Sequence, residues 1–425
     1  MKCLRRRLQP SSNMMTTNRK LGLYIHVPFC LSKCHYCDFL SFSGFSDEDQ
    51  ERYIQGLLIE LDWYRDGHEK AGGITINPLD YEVDSIFIGG GTPSLISVEL
   101  IEKLLNKICK NFCVDQDCEI TIEANPKTID RHKLKAYREM GINRLSMGAQ
   151  SLNAGLLKFM GRVHTPEEFL INYKEARVAG FENINVDLMF GLPGQSLEIW
   201  ADSFQGILDL APEHISFYGL KIEEGTPFYR MKLNNELVEL SDDLDREMYA
   251  LALSKLREPK LSKLIEPKLS KRVEPKSKEQ FANYDHYELS NAAKTEFHCR
   301  HNLKYWSMAE YLGIGLGAHS YINHERFSIT RDMANYQKNN GSHIDWRHTN
   351  SKEDEISEFI FTGMRKIEGI SFHDYETRFG ESIYLRYNHQ ISKLIRGRLI
   401  ELTGTGMKLT LLGIDLSNFV LSEFV

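Results

Sequence analysis

The stretch YIHVPFCLSKCHYCDF, residues 24–39, decides how this chain folds. An apolar run at 22–27 (GLYIHV) stops at a proline, and Cys30, Cys34 and Cys37 follow within eight residues. A short apolar run bounded by a turn residue predicts a strand, so the cysteines sit on the loop at its C-terminal end. Five more such runs follow, at 85–89 (SIFIG), 119–124 (EITIEA), 144–149 (RLSMGA), 184–189 (INVDLM) and 214–220 (HISFYGL). They alternate with amphipathic stretches at 47–65, 97–111, 130–140, 166–179 and 196–209, with Asp47 and Asp130 predicted as N-caps and Gly141 and Gly180 as C-caps. Strand–helix units in series predict an α/β fold with a parallel sheet and right-handed crossovers. Whether the sheet is open or a full or partial barrel, its reactive residues gather at the C-terminal strand ends.

The polar motifs obey that rule. After the cysteine loop come GGGTP (89–93) behind the second strand, EANP (123–126) behind the third and Gln150 behind the fourth. Asp187 and GLPG (191–194) stand at the fifth. Iron–sulfur clusters usually take four thiolates; three leave one iron open to a further ligand. The competing reading is a zinc site completed by His26 or His35, although structural zinc is usually held by paired knuckles from two chain segments. The other cysteines, Cys3, Cys109, Cys113, Cys118 and Cys299, are scattered and are not taken as cluster ligands.

CxxxCxxC after a first barrel strand, with GGGTP after the second, resembles the radical S-adenosylmethionine (SAM) superfamily. That resemblance implies a partial (β/α)6 TIM-type barrel, a [4Fe–4S] cluster on Cys30, Cys34 and Cys37, and SAM chelated by the open iron and cleaved to a 5′-deoxyadenosyl radical. By motif and order it also implies SAM contacts from Tyr24, Tyr36, Gly90, Gly91, Thr92, Glu123, Gln150, Arg162 and Asp187. Arg162 would grip the SAM carboxylate bidentately. The acidic and amide groups would take its ammonium, ribose or adenine.

Residues 24–39, EANP, GLPG and GLGAHSY (315–321) resemble one subgroup in particular, the oxygen-independent coproporphyrinogen III oxidases and their relatives. The oxidases carry a fourth cysteine two residues after the third, where this chain has Phe39, and a longer N-terminal arm than the 23 residues before Tyr24. The HemW haem chaperone branch adds HNxxYW, and 301–306 reads HNLKYW. The expectation is therefore a chaperone that binds the cluster, SAM and haem as cargo and passes haem to an acceptor protein; the oxidase is the alternative. His301 is the candidate haem ligand, imidazole being a common axial ligand, with His319 and Cys299 behind it. The alternative for His301 is a buried, hydrogen-bonded ring. An electron donor to the cluster is a further expected partner; an acceptor at a membrane and a homodimer are left open.

Composition agrees with a folded globular protein: of 425 residues 42% are hydrophobic and 26% charged. The expected division is a basic tail at 1–20, a barrel at 21–220, and at 221–425 a smaller α-rich C-terminal domain. Helical patterns at 353–366 and 384–396, followed by 398–403 and 407–412, give that domain a winged-helix-like reading. An eight-residue unit recurs at 253–276 as LSKLREPK, LSKLIEPK and LSKRVEPK, whose prolines forbid a continuous helix. It reads as a solvated insertion. The net charge of −7 hides a more acidic body behind this basic repeat, so nucleic acid is not an expected partner. With no apolar window of ~18 residues and no secretory h-region, the expected compartment is the cytoplasm. The basic residues of 1–20 read as an untidy tail in preference to a transit segment.

Overall fold

The structure, a computed structural model, describes residues 19–66, 76–257, 284–339, 341 and 343–424. Most of the basic tail and of the 253–276 repeat therefore lies outside the described residues. The first half is β1 (Arg19–Val27), α1 (Asp47–Asp66), β2 (Tyr81–Gly90), α2 (Val98–Asn111), β3 (Cys113–Ala124), α3 (Arg131–Met140) and β4 (Arg144–Gln150). It continues with α4 (Ala154–Phe159), α5 (Pro166–Val178), β5 (Ile184–Phe190), α6 (Leu197–Leu210) and β6 (His214–Gly219). All six predicted strands form and lie side by side in chain order, each parallel to the next. Their outward residues, such as Ile86, Ile122, Leu145 and Val186, are fully buried under the helices. The inward face of the same strands is polar, with Glu123, Arg144, Ser146, Asn185, Asp187 and Ser216 lining a central cavity.

The local signals largely hold. Asp130 caps α3 by accepting from Lys133 N, and Gly141 ends it at φ 101°. At α1 the cap is Ser46, whose hydroxyl accepts from Asp49 N while the Asp49 carboxylate accepts from Ser46 N; Asp47 only begins the helix. This reciprocal capping box wins because it satisfies two backbone donors at once.

Beyond β6 the chain runs through α7 (Pro227–Leu233), α8 (Asp242–Arg257), β7 (Tyr284–Glu288), β8 (Asn291–Lys294), α9 (Arg300–Trp306), β9 (Tyr311–Ile314), β10 (His319–Ile322) and β11 (Glu325–Ile329). Then come α10 (Met333–Lys338), β12 (Ile344–Thr349), α11 (Lys352–Gly363), β13 (Ile370–Ser371), α12 (Phe372–Phe379), α13 (Ile383–Arg396), β14 (Ile400–Leu402), β15 (Gly406–Leu409), α14 (Leu411–Asp415) and α15 (Ser417–Ser422). The expected boundary at 220/221 does not end the sheet. β8 and β7 extend it beyond β6, and β9 pairs parallel with β1 and carries β10, β11 and β12 on the other edge. A separate hydrophobic core begins only in α11, with Ile356, Ile360 and Met364, and runs to Phe424. That unit holds the helices and three-stranded antiparallel β13-β15-β14 sheet of the winged-helix-like reading.

The repeat also needs correction. Its first residues are the last turn of α8, and Leu253 and Leu256 are buried in the barrel core. The later units lie outside the described residues. Among the described residues no helix is long and apolar enough to cross a membrane.

Candidate functional site

A cavity of about 1100 Å³ opens at the C-terminal ends of the barrel strands. The expected cluster and SAM residues and the first haem candidate all line it: Cys30, Cys34 and Cys37; Tyr24, Tyr36, Gly90, Gly91, Thr92, Glu123, Gln150, Arg162 and Asp187; and His301, whereas His319 and Cys299 do not. Elements separated by most of the chain thus meet on one space.

The cysteine loop is pinned at several points. Cys30 N donates to Phe42 O at 2.8 Å and Phe42 N to Pro28 O at 2.7 Å, which closes the loop at its base. His35 N donates to Met160 O, and Phe228 N to His35 O. The GGGTP turn fastens it from the side: Gly91 N donates to Val27 O at 2.8 Å, Thr92 N to Phe29 O at 2.7 Å, and the Thr92 hydroxyl to Cys30 Sγ at 3.6 Å. Gly90 sits at φ 116°, and a Cβ there would meet the His26 ring at 2.6 Å; one on Gly91 would meet the Phe29 backbone. The glycines were expected to admit a ligand; what they first admit is the cysteine loop itself.

Burial pushes the Cys30 and Cys37 thiols up, and the charge of the neighbouring cysteine sulfurs adds to it. Thiols in that setting release their protons readily only to metal. Among the described residues no three His, Cys, Asp or Glu side chains converge tightly enough for a single metal ion. His26, moreover, has both ring nitrogens engaged, Nδ1 with the Tyr24 hydroxyl at 2.9 Å and Nε2 with Leu40 O at 2.8 Å. His35 Nδ1 bonds Phe159 O at 2.8 Å.

Two carboxylates face the cavity. Glu123 accepts from Gly90 N at 3.0 Å, and burial plus the neighbouring Asp187 charge push it up to about 7. Asp187 is also raised by burial, while Asn185 Nδ2 donates to it at 2.7 Å. A neighbouring carboxylate disfavours the charged form of Glu123, and a cationic ligand beside it would relieve that. Gln150, at the end of β4, is held at φ 63° where the β4–β5 register slips. Strain of that kind in a non-glycine residue tends to sit where side-chain aim matters.

Arg162 differs from expectation. Its fork is committed to the chain: Nη1 reaches Cys34 Sγ at 3.7 Å, and Nη2 bonds Gly148 O at 2.8 Å as well as Asn125. Only Nε lacks a partner. In this arrangement Arg162 braces the Cys34 sulfur and leaves no bidentate face for a carboxylate. Asn125, which links Arg162 to Thr92, was within the EANP motif yet not singled out; its place one residue past β3 was the available signal.

Across the cavity stand His301, Asn302 and Tyr305 of α9. His301 is 1% exposed, and its ring stacks on Phe87 at 5.4 Å. Its Nδ1 bonds the Ser85 hydroxyl at 3.0 Å and its Nε2 the Tyr305 hydroxyl at 2.9 Å. Burial lowers it to about 3, so the ring is neutral. Neutral imidazole is the ligating form, but neither nitrogen here is free for iron. The structure therefore realises the hydrogen-bonded alternative for His301. Cys299 is no better placed: it is fully buried, with its thiol against Glu119. Lys304 turns away to pair with Asp84 at 2.7 Å, and Trp306 lies under the Arg365 guanidinium at 4.5 Å. Phe39, at the position of the oxidases' fourth cysteine, is 65% exposed at the cavity rim.

Comparison with known proteins agrees with this geometry. Residues 24–205 match the Radical SAM superfamily and residues 350–416 the HemN C-terminal domain. The chain is 33% identical over 410 residues to the heme chaperone HemW of Bacillus subtilis, covering 95% of this chain and 98% of that protein. It is 35% identical to HemW of Haemophilus influenzae (85% and 87% covered) and 34% identical to that of Escherichia coli (82% and 83%). In fold it resembles the coproporphyrinogen III oxidase HemN of Escherichia coli, with a TM-score of 0.76 at 20% identity over 96% of this chain and 90% of that one.

Proposed function

The chain belongs to the heme chaperone HemW family, and from that premise we propose that it is a radical-SAM-type haem chaperone, which binds a [4Fe–4S] cluster, SAM and haem and hands the haem to an acceptor protein. The observation that carries this reading is that the cysteine loop and His301, Asn302 and Tyr305 of the 301–306 motif line one cavity. The cluster, when bound, supplies an open iron for SAM and a source of single electrons.

The chain's own residues do the rest. Cys30, Cys34 and Cys37 are the proposed cluster ligands, and the Arg162 guanidinium offsets thiolate charge at Cys34. Thr92 steadies Cys30. Glu123 and Asp187 supply negative charge for the cationic part of SAM, while Gln150, Gly90, Gly91, Tyr24 and Tyr36 shape the surrounding wall. His301 is assigned as a positioning residue: its neutral ring fixes the Tyr305 hydroxyl against the space for the cargo. An acceptor and an electron donor to the cluster are the protein partners this reading requires.

Anaerobic reconstitution followed by SAM, reductant and either haem or coproporphyrinogen tests it. Haem binding without protoporphyrinogen is the expected result. Formation of protoporphyrinogen would establish the oxidase, and absence of haem binding would reject the chaperone.

A further inference from the structure

At the inner end of the same cavity lies a charge that none of the described residues balances directly. Arg144, the first residue of β4, is 2% exposed and lines the cavity. Its Nε has no hydrogen-bond partner, and no carboxylate among the described residues comes within ion-pairing distance of the guanidinium. The parity of β4 puts Arg144, Ser146 and Gly148 on one face, all lining the cavity. Thr121, its register partner on β3, also carries a buried hydroxyl with no partner. Two orphaned polar groups thus stand side by side at one level of the barrel.

The acidic groups near Arg144 are spoken for. Glu119 accepts from Arg300 N and His301 N, both at 3.2 Å, at the start of α9. Asp187 accepts from Asn185, which is itself held by His214 at 2.6 Å. Glu123 accepts from Gly90 N. Glu119 and Asp187 are near enough for Arg144 to feel their charge, yet neither supplies a hydrogen bond. A buried guanidinium left this way is costly unless an anion completes it. Arginine's planar fork matches a carboxylate.

We infer that Arg144 anchors a carboxylate of the cargo, a propionate arm of the tetrapyrrole, with the Thr121 hydroxyl beside it. This rests on the haem-binding reading above and adds the group by which the cargo is recognised and oriented. The same chemistry could in principle come from the amino-acid carboxylate of SAM. Arg144, however, starts β4 and Gln150 ends it, six residues on. At ~3.3 Å per residue that puts their backbones about 20 Å apart along the strand, with the cysteine loop at the far end; Glu123 and Asp187, whose charges reach Arg144, stand between, and the SAM arm of the test separates the two carboxylates.

The test compares haem with haem dimethyl ester, whose propionates are capped, by Soret titration of the reconstituted full-length protein. Wild type is expected to bind the free acid about tenfold or more tightly than the ester. R144Q should erase that preference by weakening only the free acid, and R144K should restore part of it. SAM affinity, measured in parallel by equilibrium dialysis, should be unchanged in R144Q and also shows that the variant is folded. Equal binding of acid and ester by wild type would overturn the inference while leaving the chaperone reading standing. A loss of SAM affinity with the haem preference intact would assign the carboxylate to SAM and overturn it too. Failure of wild type to bind either porphyrin would remove both the inference and the reading beneath it.

Discussion

Replacing Glu123 by glutamine should stabilise the ligand-free protein in alkali and leave it unchanged in acid. Burial, and then the Asp187 charge, lift the Glu123 carboxyl from 4.5 to about 7. A carboxyl raised on folding makes the folded state hold its proton longer. Its effect on stability is nil below 4.5, becomes a penalty as pH climbs to about 7, and is complete above that. The full span corresponds to ~3 kcal/mol. Glu123 faces the cavity and keeps part of its solvent contact, so ~1–2 kcal/mol is the fair expectation. Glutamine carries no charge and retains an oxygen for Gly90 N–H. For a chain of this size ~2 kcal/mol moves the unfolding midpoint by roughly 2–3 °C. Circular dichroism melts of cluster-free wild type and E123Q, from about pH 5 to about pH 8.5, would reveal it as a difference that grows with pH. A gain equal at both ends, or a loss in alkali, would refute the argument that this buried charge is strained until a cation arrives. The same substitution should weaken SAM binding by roughly ten- to a hundredfold, the range for losing one charge-assisted hydrogen bond.

Four other outcomes are expected. Cys30→Ala, Cys34→Ala and Cys37→Ala should each abolish the [4Fe–4S] absorption of the reconstituted protein; full retention in any one would remove that residue from the ligand set. Thr92→Val deletes the donor to Cys30 Sγ and the acceptor for Asn125 Nδ2, and should cost ~1 kcal/mol and hasten cluster loss in air, followed by absorbance decay. His301→Ala should leave the Soret maximum of bound haem in place while destabilising the fold by ~2–4 kcal/mol, because Ser85 and Tyr305 lose their partner around a new cavity; a shifted Soret maximum would restore His301 as the iron ligand. Deleting 261–276 should leave thermal stability and cluster content unchanged, whereas deleting 253–276 should destabilise the protein by removing the buried Leu253 and Leu256.

The barrel was legible because its signals are local. Each strand is a short apolar run, each motif follows a strand end, and the caps at Asp130 and Gly141 follow from side-chain chemistry. The placing of Cys30, Cys34 and Cys37 and of the polar cavity wall at one end of the barrel came with that register. What was not legible depends on contacts between distant segments. Nothing in the periodicity of 284–349 says that β9 will pair with β1, or that β8 will cover β6. The β10–β11 hairpin turns on Asn323 and His324, both at positive φ, without the Asn-Gly pair that usually announces such a turn. The fork of Arg162 and the ring of His301 were assigned to ligands by residue type, yet Cys34, Asn125 and Ser85, which hold them, lie far off in sequence; only Tyr305, four residues on along α9, is a local partner. Arg144 stood in plain view inside an apolar strand; an unexplained charge at an inward position was the clue.

The claim that cluster and cargo share one cavity is tested most directly with zinc protoporphyrin, whose emission is quenched by a nearby redox centre and little affected by a distant one. Its fluorescence lifetime would be measured on the protein with and without the reconstituted cluster, with binding followed by anisotropy. The arrangement of Cys30, Cys34, Cys37 and the 301–306 motif around a single space predicts a bound porphyrin whose lifetime collapses when the cluster is present. An unchanged lifetime for the bound porphyrin would place the cargo elsewhere and contradict the account.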